Sequence, residues 1–407
     1  MKTYLVGGAV RDQLLGLDVT DRDWVVVGAS PEQMIDKGFK PVGKDFPVFI
    51  KPSTGEEYAL ARTERKTAKG YQGFSFNTSP DITLEEDLSR RDLTINAMAQ
   101  DENGEIIDPF QGQADLKNGV LRHVSDAFVE DPVRILRVAR FAAKFNFDVD
   151  DSTLELMQTM TSNGEVDALV PERVWSEMHK ALLTKHPSKF IETLRACGAL
   201  AKILPEIDDL FGVPQPPKHH PEIDTGVHTL MALEQACKLS DDPLVRFGAL
   251  VHDLGKAKTP EDVLPRHIGH EKAGVPVIKA LCQRLRIPTK FRELACIVSE
   301  YHLHMHKMEE LKSSTVLKML ESTGSLRNPE RAKQFALVCE ADARGRTGFE
   351  NRDYPQSALF FQLLEAANSV NTEQVAKSIE PCENQGLKIK EAIQRARISA
   401  IKQIKKK

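Results

Sequence analysis

An α/β segment followed by a long all-α remainder is the fold class that this sequence predicts, and three observations carry it. Apolar runs of strand length alternate with short helical patterns over roughly the first hundred residues. From about residue 114 onward, apolar residues recur at three- and four-residue spacing, as on one face of a helix. A proline-rich stretch, GVPQPPKHHPEIDTG (212–226), interrupts that pattern, since its prolines cannot sit inside a helix. With 407 residues the chain is too long for one core, so two to four domains are expected.

In order, YLV reads as a short strand, and AVRDQLLG as a helix after a double glycine. DWVVVGA is a strongly β-branched strand, and PEQMIDKG a helix that starts with proline. VFIKP and EEYALAR complete the strands, and the polar stretch 66–85 reads as a mobile loop. The helical remainder ends in GLKIKEAIQRARISAIKQIKKK, which is amphipathic and basic, with Ile389, Ile393, Ala396, Ala400 and Ile404 as its apolar stripe.

Composition excludes several classes. Net charge is −4, so the whole chain is no basic nucleic-acid coat, and RNA contact must come from local patches. Six scattered cysteines without a CxxC pair read as reduced thiols. The N-terminal run is charged too early for a signal peptide, and no apolar run approaches the ~18 residues of a membrane span. A cytoplasmic protein without membrane contact is the expectation.

Two groups of residues in the α/β segment point to phosphate chemistry. In LVGGAVRD a strand ends in Gly7-Gly8 and turns into a helix, which lets a phosphate approach the backbone; Gly8 and Arg11 are the candidate phosphate contacts. A plain turn has the same pattern. In TDRDWVVV, Asp21 and Asp23 stand at i and i+2, which point to one side of a strand. Carboxylates so close repel unless a cation lies between them, and Mg²⁺ with substrate phosphates fits that description. They are the candidate catalytic and Mg²⁺-binding pair, with Glu57 as a third carboxylate. In RRDLTINAMA, Arg91 is a candidate triphosphate contact and Asp92 a capping or orienting group. In EDPVRILRVAR, Asp131 and Arg134 are expected one helical turn apart, with Arg137 and Arg140 continuing the row at a drift of about 60° per step. An amphipathic helix with a solvated basic face is the simpler alternative for that run alone.

Nine of the twelve histidines fall between residues 219 and 306. LVRFGALVHDLGK carries His252-Asp253 on an apolar helix; GVHT, GHEKAG and YHLHMH add His228, His270, His302, His304 and His306, and EADARGR adds Asp342. Such a set reads as ligands for one or two divalent metals.

The ordered series GGAVRD, DRD, EEDLSRRDLTINAMA, DPFQGQADL and EDPVRILRVARFAAKF, within about 150 residues, resembles the bacterial tRNA nucleotidyltransferases, the CCA-adding enzymes of the second class. The likeness continues through the histidine region, as in the multifunctional type. Leu93 stands where the family usually has phenylalanine, an apolar-for-apolar change. The resemblance implies a nucleotidyltransferase head with a DNA polymerase β-like palm (1–113), a helical neck and body that selects the nucleotide and binds tRNA (114–211), an all-α HD phosphohydrolase domain (212–345) and a helical basic tail (346–407). It implies that Asp131 and Arg134 select the incoming base and that Arg137 and Arg140 meet the triphosphate or base edge. The physical reason is independent of it: cytosine and adenine both offer an amino donor beside a ring-nitrogen acceptor, which a carboxylate and a guanidinium match, while uracil and guanine offer the reverse.

The histidine region resembles the HD phosphohydrolase superfamily. That likeness implies His228, His252, Asp253 and Asp342 as metal ligands, with His252 and Asp253 catalytic and His270 and His302 as further members. It further implies nickel or another divalent transition metal, and 2′,3′-cyclic phosphodiesterase, 2′-nucleotidase and phosphatase activity in tRNA 3′-end repair. The implied partners are the tRNA acceptor end, ATP and CTP, not DNA, in a monomer or homodimer. Four alternatives stay open: a poly(A) polymerase, which shares the head motifs but carries a longer basic tail; a partial enzyme that adds only CC or only A; an HD phosphohydrolase with a vestigial head; and a non-catalytic tRNA-binding protein.

Overall fold

A computed structural model describes residues 1–42, 48–66 and 74–406. The chain divides into two compact units, one of residues 1–181 with 189–203, the other of residues 182–188 with 204–407. Among the described residues, no helix is long and apolar enough to cross a membrane.

The first unit opens with β1 (Lys2–Val6), α1 (Gly8–Leu14), β2 (Asp23–Val27) and α2 (Pro31–Asp36), then β3 (Lys40–Val42), β4 (Val48–Ile50) and β5 (Glu57–Leu60). With two short strands, Ala99–Gln100 and Ile106–Ile107, these form a seven-stranded mixed sheet. β1 and β2 are antiparallel neighbours in the middle, and β2 pairs parallel with β5. Alternation along β2 feeds two cores. Val25 joins Val6, Leu88 and Ala97 on one face; Val26 joins Met34, Phe49 and Leu60 on the other.

The expected loop at 66–85 is only partly irregular. Thr63–Lys66 and Phe74–Asn77 pair as antiparallel hairpin arms, and Leu84–Ser89 is a helix. Thr83 starts that helix through a reciprocal capping box with Glu86. Residues 67–73 of the expected loop lie outside the described residues.

DPFQGQADL has a structural explanation. Asp108 accepts the backbone N–H groups of Gly112 and Gln113 at 2.7 and 2.9 Å, which caps the helix Gly112–Asn118. A Cβ on Gly112 would lie 2.3 Å from the Thr94 carbonyl oxygen, so only glycine allows this helix to rest on RRDLTINAMA. Asp115 then accepts the Thr94 hydroxyl at 2.7 Å.

The second unit is helical. Thr225–Leu239, Pro243–Val251, His270–Arg284, Thr289–His306 and Pro329–Arg344 pack around its histidines, and Phe335, Val338, Phe360 and Leu363 share its apolar core. The terminal helix, Gln385–Ile404, departs from the expected stripe. Its fully buried residue is Ile401, flanked by Ile398 and Ile404 against that core. Lys405 donates to the Met308 and Leu311 carbonyls, so part of the basic tail is anchored to its own unit.

Candidate functional sites: an arginine-lined cavity and a histidine cluster

Strand register explains why GG and DRD converge. Val6, the residue before Gly7-Gly8, lies opposite Asp23. Gly7 has φ of +67°, and a Cβ there would come within 2.6 Å of an Arg91 guanidinium nitrogen. The glycine therefore serves both the left-handed turn and the seat of Arg91. Glu57 is Asp23's partner on the parallel neighbour, so the two carboxylates share a sheet face. Asp21 is not in the strand, contrary to the expected i, i+2 strand pair, because β2 begins at Asp23. Both aspartates are exposed, and both line one cavity of about 900 Å³.

That cavity also brings together Gly8, Arg11, Arg91, Asp92, Asp131, Arg134, Arg137 and Arg140. The Asp131–Arg134 geometry differs from the expectation of two residues on one helix. Asp131 is extended, and the helix Val133–Phe145 begins after it. The intervening Pro132 explains this, because proline disfavours helical geometry at the residue before it. Asp131 accepts the Val133 N–H at 3.0 Å and so holds the helix start. The guanidinium of buried Arg134 donates to the Ala127 and Arg90 carbonyls at 2.7 and 2.6 Å, which locks its plane.

The other arginines are equally tied. Asp92 accepts Arg137 at 2.7 Å, the Asn96 amide at 2.9 Å and the Leu93 N–H at 2.9 Å. Burial alone would raise the Asp92 pKa, but Arg137 and these hydrogen bonds outweigh it and bring it down to about 2. Arg140 pairs with Glu177, and Arg11 pairs with Asp12 and Asn96. Arg11, Arg137 and Arg140 gather around the Phe141 ring at 5.1, 5.5 and 4.1 Å. The Arg91 Nε is buried without a hydrogen-bond partner. Glu177, Asn96 and Phe141 were not singled out from the sequence. Phe141 stands in RVARFAAKF one residue after Arg140, and that adjacency was its signal.

The histidine cluster is different in kind. His252 caps the end of the helix Pro243–Val251 rather than lying within it, and Asp253 leads into the turn 254–258. His228, His252 and Asp342 form one group able to hold a metal ion; Asp253, His270 and His302 form another. All six are buried. Each histidine gives its Nδ1 proton to a main-chain carbonyl: His228 to Gly345 at 2.8 Å, His252 to Ala249 at 2.8 Å, His270 to His267 at 2.6 Å, His302 to Ser299 at 3.0 Å. That fixes the tautomer and leaves each Nε2 a bare acceptor.

These acceptors face carboxylates. His228 Nε2 lies 3.2 Å from Asp342 Oδ1, His252 Nε2 3.2 Å from Asp253 Oδ2, and His270 Nε2 3.3 Å from Asp253 Oδ1. His228 Nε2, His252 Nε2 and Asp253 Oδ1 are buried with no hydrogen-bond partner. Acceptor facing acceptor in a buried cluster calls for a cation, so the donor set fits divalent metal. The electrostatics agree. Burial would depress the His252 pKa, yet Asp253 and Asp342 more than offset it and push it up to about 10, so the pocket favours positive charge at that ring. Burial would raise Asp253 and Asp342, but the cations beside them hold both well below the usual carboxylate range.

Two glycines make this packing possible. A Cβ on Gly255 would meet the His270 carbonyl at 2.0 Å, and one on Gly345 would meet Ala232 at 2.5 Å. A cavity of about 390 Å³ opens onto the cluster, lined also by Lys256, Lys307, Arg346 and Arg352. Lys256 lies 2.6 Å from Asp253 Oδ2. Its signal in the sequence is HDLGK, which places it three residues after the aspartate. His304, counted with the histidine set, does not line this cavity, and its Nδ1 is buried without a partner.

Comparison with known proteins places each part of the chain in a family. Residues 3–122 match the Poly A polymerase head domain, residues 146–211 the probable RNA and SrmB-binding site of polymerase A, and residues 225–344 the HD domain. The multifunctional CCA protein of Thioalkalivibrio sulfidiphilus is 60% identical over 411 residues, covering 100% of this chain and 99% of that one. The multifunctional CCA protein of Teredinibacter turnerae is 58% identical over 408 residues, covering 100% and 98%. Among solved structures, the Thermotoga maritima CCA-adding enzyme complexed with tRNA has a TM-score of 0.61 at 19% identity, covering 99% of this chain and 90% of that one. A CCA-adding enzyme in an apo form has a TM-score of 0.63 at 20% identity, with the same coverage. At that identity the structural likeness speaks for the fold alone. Full-length identity near 60% with curated relatives, joined to an intact head and an intact histidine cluster, shows that the chain belongs to the multifunctional CCA protein family.

Proposed function

We propose that this chain adds C, C and A to the 3′ end of tRNA from CTP and ATP without a nucleic-acid template, releasing pyrophosphate. Its histidine cluster, by the same reading, hydrolyses 2′,3′-cyclic and 2′-phosphates and other phosphoesters in tRNA 3′-end repair. The observation that carries the first activity is the single cavity uniting Asp21 and Asp23 with Asp131, Arg134, Arg137 and Arg140. Asp21 and Asp23, supported by Glu57 on the same sheet face, are the residues that would hold Mg²⁺. Once bound, that ion would neutralise the triphosphate and favour ionisation of the attacking tRNA hydroxyl.

The remaining steps belong to the chain's own residues. Asp131 accepts the base's amino group and Arg134 donates to its ring nitrogen, a pattern that matches C and A and leaves U and G unpaired. The two carbonyls that lock Arg134 preorganise this reading head. Gly8, Arg11, Arg91, Arg137 and Arg140 bind and orient the triphosphate. In the second site His228, His252, Asp253 and Asp342, with His270 and His302 beside them, would hold nickel or another divalent transition metal. That metal would supply Lewis-acid chemistry for phosphoester hydrolysis. Lys256, Lys307, Arg346 and Arg352 give the cavity the charge to attract a phosphate. The domain assignment that goes with this reading is head 1–113, neck and body 114–211, HD domain 212–345 and tail 346–407.

The test is nucleotide incorporation into a tRNA transcript lacking CCA, with Mg²⁺ and each triphosphate singly or CTP with ATP. Addition is expected to stop after C, C and A, with UTP and GTP rejected. Long A tails would instead identify a poly(A) polymerase. No incorporation, with phosphate released from a 2′- or cyclic phosphate, would leave the HD site as the sole activity.

A further inference from the structure

We infer that Tyr354 and His306 act as positioning residues that aim the carboxylate of Asp342 at the metal, so that a residue beyond the matched HD segment completes the metal centre. This rests on the metal-site reading above. His306 ends the helix Thr289–His306, and its Nε2 lies 2.6 Å from Asp342 Oδ2. An ionised carboxylate only accepts, so this Nε2 carries the proton. The ring's Nδ1 lies 2.8 Å from the Tyr354 hydroxyl, within hydrogen-bond distance. The line runs from the Tyr354 hydroxyl to Nδ1 and from Nε2–H to Oδ2.

His306 thus presents its Nε2 differently from the four clustered histidines. Those give Nδ1–H to a carbonyl and turn a bare Nε2 to the cluster. His306 turns an Nε2–H to a carboxylate, so it is a donor to a ligand rather than a ligand. With Oδ2 engaged, Oδ1 is the Asp342 atom that faces His228 Nε2 at 3.2 Å and His252 Nε2 at 3.7 Å, and it also accepts from the Arg346 guanidinium at 3.3 Å. Outer hydrogen bonds of this kind set the orientation and basicity of a metal ligand. Tyr354 is placed by packing: it precedes the helix Pro355–Asn368 and lies against the apolar core that holds Phe360 and Leu363. The family match ends at residue 344, ten positions before it.

The experiment is a Ni²⁺ titration of the full-length, chelator-stripped chain against a competing chromogenic chelator. It compares wild type, His306→Leu, His306→Gln, Tyr354→Phe and His252→Ala, with unfolding of the metal-free chains as the check on folding. His306→Leu is expected to weaken Ni²⁺ binding about tenfold or more. His306→Gln, whose amide N–H can still reach Oδ2, restores most of it, and Tyr354→Phe causes a smaller loss. Wild-type affinity in both His306→Leu and Tyr354→Phe, with binding abolished in His252→Ala, overturns the positioning role and leaves the metal site standing. Equal losses in His306→Gln and His306→Leu also overturn it, since His306 would then be a ligand itself. Unchanged binding in His252→Ala overturns the metal-site reading beneath it.

Discussion

The two cavities handle charge in opposite ways. In the head, Asp21 and Asp23 are exposed at the edge of about 900 Å³, and the cations are side chains already paired to Asp92, Glu177, Asp12 and backbone carbonyls. In the histidine site every candidate ligand is buried, the cavity is smaller, and His228 and His252 present Nε2 atoms without a hydrogen-bond partner. A nucleotide triphosphate brings its own charge and its own metal ligands, so the protein need supply only two carboxylates and a fixed bed of arginines. A site that holds metal before substrate arrives must supply the whole ligand set, and the cost of burying it is offset only when the ion binds.

The sharpest test of this contrast is to break one site at a time. Asp23→Ala is expected to lower CCA addition on the order of a thousandfold, while phosphate release from a 2′,3′-cyclic nucleotide persists. His252→Ala should do the reverse. Loss of both activities in either variant, measured on the same preparation, would mean that the sites are not independent.

Arg134→Ala comes next, at about a hundredfold loss of incorporation. Misincorporation of UTP or GTP should rise relative to CTP and ATP. Uniform loss across all four nucleotides would show that Arg134 only supports the fold, through Ala127 and Arg90.

Asp92→Asn sharpens the comparison through stability. The folded pKa of Asp92 is brought down to about 2, below the unfolded value of about 3.9. Its ionised form therefore stabilises the fold fully above the unfolded pKa, and that stabilisation is lost as pH falls through the folded pKa. At neutral pH the substitution should lower stability by about 2 kcal/mol. The difference between the chains should shrink as denaturation is followed from about pH 4 to pH 2. A pH-independent difference would assign the effect to packing.

The smallest effect expected is in the terminal helix. Lys405 is held by two carbonyls, so Lys405→Ala should hardly change the salt dependence of tRNA binding, whereas Lys390→Ala should reduce its slope by somewhat less than one. Equal slopes in the two variants, from binding titrations at several salt concentrations, would count against that division of the tail.

Much of the fold was legible because local patterns and tertiary contacts agree. DWVVV alternates into two cores, and Gly7-Gly8 marks a turn that needs positive φ. The polar run at 66–85 misled, since the strand Phe74–Asn77 within it pairs with Thr63–Lys66, a cross-strand pairing that no local pattern announces. The terminal helix misled for a similar reason. Its most apolar stripe by spacing omitted Ile401, and the neighbouring core decides which side is buried.

By itself the sequence determined which chemistry was on offer: paired carboxylates before a strand, arginines in a row, and histidines with late Asp342. Residue type sets donor, acceptor and charge before any folding occurs. Only the tertiary structure decided who meets whom. Strand register brought Glu57 beside Asp23, proline at 132 moved Asp131 off the helix, and main-chain carbonyls, one distant in sequence and three only three residues back, hold the Nδ1 atoms of four histidines while His306 sets its Nε2 against Asp342. Tautomer and orientation depend on partners a few ångströms away in space, and sequence spacing carries no such distances.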